Sequence, residues 1–182
     1  MNLLPPLPDH IPVLETPRLR LRGYRSSDFP AYVAMWQHPD FYRYLAPQPL
    51  PEEDIWGILL RAAGHWALQG YGFGAVEEKA SGEFIGAVGF ADRHRALDPP
   101  SNGAPEIGWV LAARTHGRGY ATEAVQAALA WGDAHFGGAR TMCIMHPDNV
   151  ASRRVAEKFG YREFARTLYK NALTVLLERP GR

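Results

Sequence analysis

Apolar and polar residues alternate along the chain with two periods, one typical of strands and one of helices. The segment "RLRLRGY" (18–24) alternates apolar and basic residues, as a half-buried strand does. Helical spacing follows in "EEDIWGILLRAAGHWALQ", and Gly70 is placed to end that helix. Further helices are predicted from Tyr120 to about Phe136 and over "VASRRVAEKF". The remaining predicted strands are "YGFGAVEE", "EFIGAVGFAD", "APEIGWVL", "RTMCIM", "YREFARTLY" and "LTVLLER".

The predicted order is β-α-α-β-β-β-α-β-α-β-β, which indicates a single α/β or α+β domain around a mixed sheet. The first helix is predicted over "SSDFPAYVAMWQ", with Ser26 or Ser27 as its cap and Pro30 in its first turn. "HPDFYRYLAPQPLP" is interpreted as a proline-broken loop. Prolines at 5, 6, 8 and 12 predict an extended N-terminal arm over residues 1–13, before a domain over 14–182.

Composition narrows the classes of protein that fit this pattern. The chain has 182 residues, 46% hydrophobic and 21% charged, which is an ordinary globular mixture. A net charge of +1 argues against a protein that mainly coats nucleic acid. No apolar run reaches the ~18–20 residues that are needed to span a bilayer. The single cysteine, Cys143, permits no intrachain disulfide and suits a reducing compartment. Since no signal peptide is apparent, we expect a cytoplasmic protein without nucleic-acid or membrane partners.

The stretch "RTHGRGYATEA" (114–124) places two glycines between a predicted strand and a predicted helix. Glycine tolerates positive φ, so such a loop can point backbone N–H groups inward beside the free N–H groups of the helix. Together they form an anion site suited to a pyrophosphate, with Arg114 and Arg118 as added charge. A plain glycine turn is the alternative. Thr122 replaces the third glycine of the dinucleotide fingerprint, and no Gly-Lys-Ser/Thr follows, so Rossmann and P-loop sites are excluded.

Several motifs in order resemble one family. Arg114-x-x-Gly117-x-Gly119 is similar to the Arg/Gln-x-x-Gly-x-Gly/Ala pattern of the GNAT superfamily of N-acetyltransferases. The segments "ETPRLRLR", "HPDFYRYL", "EIGWVL", "GRGYATEA" and "DNVASRRVAEKFGY" resemble the branch of ribosomal-protein N-terminal acetyltransferases. The resemblance covers about residues 14 to 178. It implies the GNAT fold, a mixed and mostly antiparallel sheet flanked by helices, with acetyl-CoA as cosubstrate and no metal.

The same resemblance implies roles for particular residues in holding coenzyme A. The pyrophosphate is expected on the backbone amides of the loop, with Arg114 just upstream and the Thr122 hydroxyl as a further donor. Asn149 corresponds to a contact with the pantetheine arm, although a helix N-cap is its ordinary role. Arg153 is expected near the adenosine phosphate unless it is simply solvated. The amide donors are His116, Gly117, Arg118, Gly119, Tyr120 and Ala121, and the strand residues that pair with pantetheine are Trp109, Val110 and Leu111.

Acetyl transfer to an amine requires a base, an oxyanion donor and a proton for the leaving thiolate. Glu106 is the expected base because it lies on the strand that leads to the thioester, although a structural strand-end carboxylate would look the same. The tyrosine acid common in the superfamily is replaced by Ala156, and Ser152 is the expected substitute. The alternative role of Ser152 is structural, as a serine in the first helical turn whose hydroxyl bonds the local backbone. Direct attack of a desolvated amine, without an acid, is a third possibility.

Two function classes therefore remain. The first is an enzyme that transfers an acetyl group from acetyl-CoA to a primary amine, a protein N-terminus or a small molecule, by direct attack in a ternary complex. The second is a coenzyme A-binding regulatory protein with little or no catalysis. The sequence leaves open the acceptor and the choice between a monomer and a homodimer. Five aromatic residues are candidates either for the acceptor pocket or for the core: Trp36, Phe41, Tyr42, Tyr44 and Trp66.

Overall fold

A computed structural model of the chain describes residues 11–44 and 48–182. The predicted arm at 1–13 therefore lies almost wholly outside the described residues. The strands are β1 (Leu14–Glu15), β2 (Leu19–Arg22), β3 (Phe73–Glu78), β4 (Phe84–Ala91), β5 (Glu106–Leu111), β6 (Thr141–Met145), β7 (Arg162–Tyr169) and β8 (Ala172–Arg179). The α-helices are α1 (Phe29–Trp36), α2 (Pro39–Tyr42), α3 (Glu52–Gln69), α4 (Tyr120–His135) and α5 (Val150–Lys158).

The eight strands form a sheet in the order β1-β2-β3-β4-β5-β6-β8-β7. Strand β5 pairs with β6 in parallel, whereas β1–β2, β2–β3, β3–β4, β6–β8 and β7–β8 are antiparallel. The predicted mixed, mostly antiparallel sheet flanked by helices is confirmed. The chain divides into two compact units, and each is described separately below.

The first unit contains residues 11–44, 48–89 and 109–128 of the described chain. Helices α1 and α3 pack together, and α3 ends at Gly70, whose φ of 72° places it in the left-handed region that the sequence predicted. Arg22, on β2, is buried and makes a bidentate pair with Asp28 at 2.8 Å for both bonds. The Nε of Arg22 also donates to Glu77 at 2.7 Å. The core is built from Tyr32, Val33, Met35, Phe41, Ile55, Leu59, Ala75 and Phe84.

Two local predictions in the first unit were wrong. Neither Ser26 nor Ser27 caps the first helical segment. The Asp28 carboxylate instead accepts the N–H of Arg25 at 2.8 Å, and a 3-10 turn over Ser26–Asp28 precedes α1. Within the predicted loop after α1, residues 39–42 form the one-turn helix α2, because His38 Nδ1 accepts the N–H of Asp40 at 3.3 Å. Residues 45–47 of that loop lie outside the described residues.

The second unit contains residues 90–108 and 129–182. Its small core includes Leu97, Met142 and Leu176. Tyr161 is fully buried and shares a 2.6 Å hydrogen bond with Thr141. Cys143 is buried, and burial, with a smaller contribution from the Glu106 charge, raises the pKa of its thiol. The cysteine therefore belongs to the core and is not a reactive nucleophile.

None of the helices within 11–44 and 48–182 combines the length and the apolar character that crossing a membrane would require. In the same ranges, no three His, Cys, Asp or Glu side chains form a group able to hold a metal ion.

Replacing Asp28 with alanine is expected to destabilise the protein by about 3–5 kcal/mol, because it leaves the buried Arg22 charge without its bidentate partner. Burial opposes ionisation of Asp28, but the bonds from Arg22 and Arg25 outweigh it and lower the pKa of the carboxyl. The stabilisation is thus complete above the unfolded pKa, near 4, and is lost as the pH falls below it. Denaturant unfolding should show this difference in the free energy of unfolding between the variant and wild type at neutral pH. The difference should be smaller in acid.

The matched control is Asp148→Ala, since the Asp148 side chain is 81% exposed. Its free energy of unfolding should change by less than about 0.5 kcal/mol. Equal effects of the two substitutions would contradict the role of the buried pair.

Candidate active site

The loop between β5 and α4 is fixed on its strand side before the glycines begin. After β5, a 3-10 turn over Ala113–Thr115 brings the buried Thr115 back onto Ala112, whose carbonyl accepts its hydroxyl at 2.6 Å and its N–H at 2.8 Å. His116 Nε2 lies 3.0 Å from the carbonyl oxygen of Leu111. The chain therefore leaves β5 along a fixed path and enters the glycine segment with its direction already set.

Gly117 and Gly119 both adopt left-handed backbone conformations, with φ of 74° and 78°. Space is not the reason for glycine at Gly117, because a Cβ there would meet nothing within 4 Å. The requirement comes from φ, which a side chain would strain. Within the described residues, the backbone N–H groups from Gly117 to Thr122 have no hydrogen-bond acceptor. The loop and the start of α4 therefore offer a row of N–H donors, and the predicted role of these donors in holding a pyrophosphate stays a prediction.

The two loop arginines, predicted as phosphate ligands, are already paired with carboxylates. Arg114 Nη2 lies 2.6 Å from Glu83 Oε2 and 3.4 Å from the Phe84 carbonyl. Arg118 Nη2 lies 3.1 Å from Glu78 Oε1 and donates to the Tyr120 hydroxyl at 2.7 Å. The loop therefore offers unpaired backbone donors, while the charges of its arginine side chains are balanced within the protein.

An anchor that the sequence did not reveal holds the start of α4. Glu123 accepts the Thr16 hydroxyl at 2.6 Å and the Arg18 Nε at 2.7 Å. Burial opposes ionisation of Glu123, but these bonds outweigh it and lower the pKa of the carboxyl. Arg18 Nη1 also donates to the carbonyl of Arg118 at 2.9 Å. The segment before β2 thus fixes the glycine loop from its helix side.

Tyr120, the first residue of α4, lies between two guanidinium groups. The Cζ atoms of Arg18 and Arg118 are 4.4 and 4.6 Å from its ring centroid, distances typical of cation–π contacts. Its hydroxyl donates to Glu78 at 2.5 Å, and this bond raises the pKa of the phenol. Tyr120 is 3% exposed, so its side chain is a packing element of the loop.

The residues predicted to pair with pantetheine occupy the end of β5. The parallel register between β5 and β6 consists of one pair, Glu106 with Met142, and the three predicted residues Trp109, Val110 and Leu111 follow beyond it. Val110 packs against the core of the first unit. Their place directly before the glycine loop agrees with the order that the sequence analysis expected.

Glu106 is held by arginines that sequence reasoning missed. Arg95 donates to both of its carboxylate oxygens, at 2.7 and 2.9 Å, and Arg93 lies 3.4 Å away. Arg95 also donates to the Tyr169 hydroxyl at 3.1 Å. Burial opposes the charge on Arg95, but the bond with Glu106 outweighs it, so the arginine pKa is raised. The Glu106 side chain is 12% exposed, and its bidentate pair with Arg95 fixes its orientation.

Helix α5 carries the other predicted residues in its first turn. Asn149 caps the helix, since its Oδ1 accepts the Ser152 N–H at 3.1 Å. This cap uses the oxygen of Asn149 and leaves its amide nitrogen for another partner. The Ser152 hydroxyl makes no hydrogen bond among the described residues, so it is not satisfied by local backbone. Arg153 is paired with Glu157 and Glu163, each at 2.9 Å.

The aromatic residues considered for an acceptor pocket divide into core and surface. Phe41 and Trp66 are each 7% exposed, and Trp66 Nε1 donates to the Phe73 carbonyl at 2.9 Å. Trp36 packs edge-on against Phe41 with ring centroids 4.8 Å apart. Tyr42 and Tyr44 are only partly buried. Core packing therefore accounts for Trp36, Phe41 and Trp66.

Comparison with known proteins identifies the family of this chain. The family model of the acetyltransferase (GNAT) domain matches residues 18–162. The chain belongs to the GNAT acetyltransferase family. An uncharacterised N-acetyltransferase of Bacillus subtilis, YoaA, is 29% identical over 157 residues, 84% of each chain. A putative GNAT-family acetyltransferase from Bordetella pertussis is 32% identical, with a TM-score of 0.81 over 93% of this chain and 99% of that one.

The solved structures of similar fold include a ribosomal-protein acetyltransferase. RimL, described as a ribosomal L7/L12 alpha-N-protein acetyltransferase in complex with coenzyme A, has a TM-score of 0.73. It covers 93% of this chain and 98% of its own, at 19% identity. At that identity the likeness concerns the fold. GNAT acetyltransferases use acetyl-CoA as the acetyl donor.

Replacing Gly119 with valine should weaken acetyl-CoA binding by about 5- to 100-fold, because a β-branched residue at positive φ costs roughly 1–3 kcal/mol and tilts the free N–H groups. Isothermal titration calorimetry measures the change directly. Gly70→Val introduces the same strain (φ 72°) at the end of α3, with nothing within 4 Å of the new Cβ, and serves as the control. Unchanged affinity in the Gly119 variant, or equal losses in both, would contradict the loop assignment.

Proposed function

We propose that this protein transfers an acetyl group from acetyl-CoA to a primary amine by direct attack in a ternary complex. The observation that carries the proposal is the row of unpaired N–H groups from Gly117 to Thr122, at the start of a 16-residue helix, in a chain of the GNAT family. Free N–H groups and the positive end of a helix dipole are suited to a diphosphate. The other predicted binding residues remain part of this proposal.

The fit to a coenzyme A diphosphate depends on backbone donors more than on side-chain charge. Arg114 and Arg118 are each neutralised by a glutamate, so the loop attracts the diphosphate mainly through N–H dipoles. The hydroxyl of Thr122, at the third position of α4, has no partner among the described residues and adds a donor to the same row. When bound, acetyl-CoA supplies an activated thioester, and the protein's part is to hold it beside the amine.

Glu106 is proposed as the base that takes a proton from the amine, directly or through water. A free alkylammonium has a pKa near ~10, so the proton must be removed before attack. An ionised carboxylate has about four lone-pair sites, and Arg95 uses two of those on Glu106. The remaining sites can accept the proton, while the bidentate pair fixes the carboxylate in one orientation. Arg95 is in this role a positioning residue.

Ser152 is proposed to stabilise the leaving thiolate. Its hydroxyl is partly buried and has no other partner among the described residues, so it is available to donate to sulfur. Ala156, which occupies the place of the usual tyrosine, is 0% exposed and has no polar atom in its side chain. The first turn of α5 is thus the better source of a donor on that helix.

A second function, coenzyme A binding with little or no catalysis, is supported by two of these observations. Ala156 removes the usual acid, and Glu106 is already engaged by Arg95 and Arg93. Either feature alone would suit a protein that binds the coenzyme and does not turn it over. The two functions differ in a measurable way, since only the first releases free coenzyme A when an amine is present.

The decisive experiment combines calorimetry with a thiol-release assay. Acetyl-CoA and coenzyme A should bind and ATP should not, because the loop lacks the lysine of a P-loop. Thiol release should then appear with some member of a panel of N-terminal peptides and small amines. Binding of acetyl-CoA without thiol release from any amine would favour the regulatory function. Failure to bind either coenzyme form would exclude both.

Replacing Glu106 with glutamine should lower kcat by about 10²- to 10⁴-fold, the usual contribution of a positioned base, with acetyl-CoA affinity unchanged. Glutamine preserves the size of the side chain and one acceptor oxygen for Arg95. Steady-state kinetics at several pH values, with calorimetry for affinity, separates the two effects. Glu178→Gln, which removes the 2.6 Å partner of Arg140, is the control and should leave kcat unchanged. A kcat in the Glu106 variant equal to wild type at each pH would exclude this residue as base.

A further inference from the structure

The hairpin turn between β3 and β4 carries a glutamate at each end, and each one holds an arginine of the glycine loop. The turn is closed by two backbone bonds, Glu78 N–H to the Glu83 carbonyl at 2.9 Å and Gly82 N–H to the Glu78 carbonyl at 2.8 Å. Glu83 pairs with Arg114 at 2.6 Å, and Glu78 pairs with Arg118 at 3.1 Å. One rigid turn therefore supplies both counter-charges of the loop.

Both ion pairs are open to exchange. The side chains of Arg114 and Arg118 are 52% and 53% exposed, and that of Glu83 is 60% exposed. Exposed ion pairs contribute little to stability and are readily broken. Each arginine can therefore leave its carboxylate for a phosphate, but it must give up an existing partner to do so.

Glu78 is the more firmly placed of the two carboxylates. Its side chain is 14% exposed and accepts the Tyr120 hydroxyl at 2.5 Å and the Ser81 hydroxyl at 2.8 Å. The Tyr120 bond, the largest of several effects, lowers the pKa of Glu78. Tyr120 in turn lies under the Arg118 guanidinium. The negative charge of Glu78 is thus held beside Arg118 by contacts that do not depend on Arg118 itself.

We propose that Glu78 and Glu83 act as internal counter-anions that compete with the phosphates of the coenzyme for Arg118 and Arg114, and so set the affinity of the site. This inference rests on the proposed function of the loop. The free energy that a phosphate gains by binding one of these arginines is then reduced by the free energy needed to break the arginine–glutamate pair. The site binds acetyl-CoA more weakly, and with a shallower dependence on salt, than the same loop with unpaired arginines would.

The test compares Glu78→Gln, Glu83→Gln and the double variant with wild type. Glutamine at position 78 keeps one acceptor oxygen, for Tyr120 or for Ser81, and both substitutions remove the competing charge. Calorimetric titration with acetyl-CoA should show affinity rising about two- to five-fold for each single variant, in the range of an exposed ion pair. The double variant should show a larger rise, and its affinity should fall more steeply as sodium chloride is added.

The matched control is Glu15→Gln, because Glu15 pairs with Arg20 at 2.7 Å and Lys79 at 2.6 Å and neither cation lies on the glycine loop. Glu15→Gln/Glu52→Gln matches the charge change of the double variant. Affinity and salt dependence in these controls should equal those of wild type. Unchanged or weaker binding by the Glu78 and Glu83 variants overturns the inference. Failure of wild type to bind acetyl-CoA would instead overturn the proposed function.

Discussion

The left-handed backbone at Gly117 and Gly119 is the constraint on which the candidate site depends. It turns the chain from β5 into α4 within a few residues and leaves a continuous row of N–H groups without acceptors. Residues 117–119 are exposed, so water can bind the donors there and an anion can replace it. Thr115 and Glu123 hold the two sides of the loop by short hydrogen bonds. The donors are therefore oriented before a ligand arrives.

This preorganisation explains why the loop can carry so little net side-chain charge. Cationic loops attract anions at long range, but they also bind other anions. Here Arg114 and Arg118 are balanced by Glu83 and Glu78, and the sequence as a whole has a net charge of only +1. Directional N–H donors discriminate by the position of oxygen atoms, whereas free cations discriminate only by charge. In the proposed site, a neutral but ordered loop would favour a ligand whose phosphates are correctly spaced.

The sequence predicted those features whose cause lies within a few neighbouring residues. Periodicity located the long strands and helices, and the caps at Gly70 and Asn149 follow from local chemistry. The sequence could not locate contacts between distant segments, such as the contact of Arg18 with Glu123, which are 105 residues apart. The Ser26 cap failed for a similar reason, because Asp28, fixed by its pair with Arg22, takes the N–H of Arg25 instead. Charged residues are thus assigned least well, since their roles depend on partners from elsewhere in the fold.

The pair formed by Glu106 and Arg95 shows how such a distant contact changes a chemical argument. From sequence alone, Glu106 is either the expected base or a structural carboxylate at the end of a strand. In the structure, Arg95 binds it in a bidentate manner and is itself bonded to Tyr169, so three side chains fix one another. A base held in this way loses freedom of motion but gains a fixed direction. What the pair with Arg95 contributes to the proposed reaction is therefore the orientation of the carboxylate.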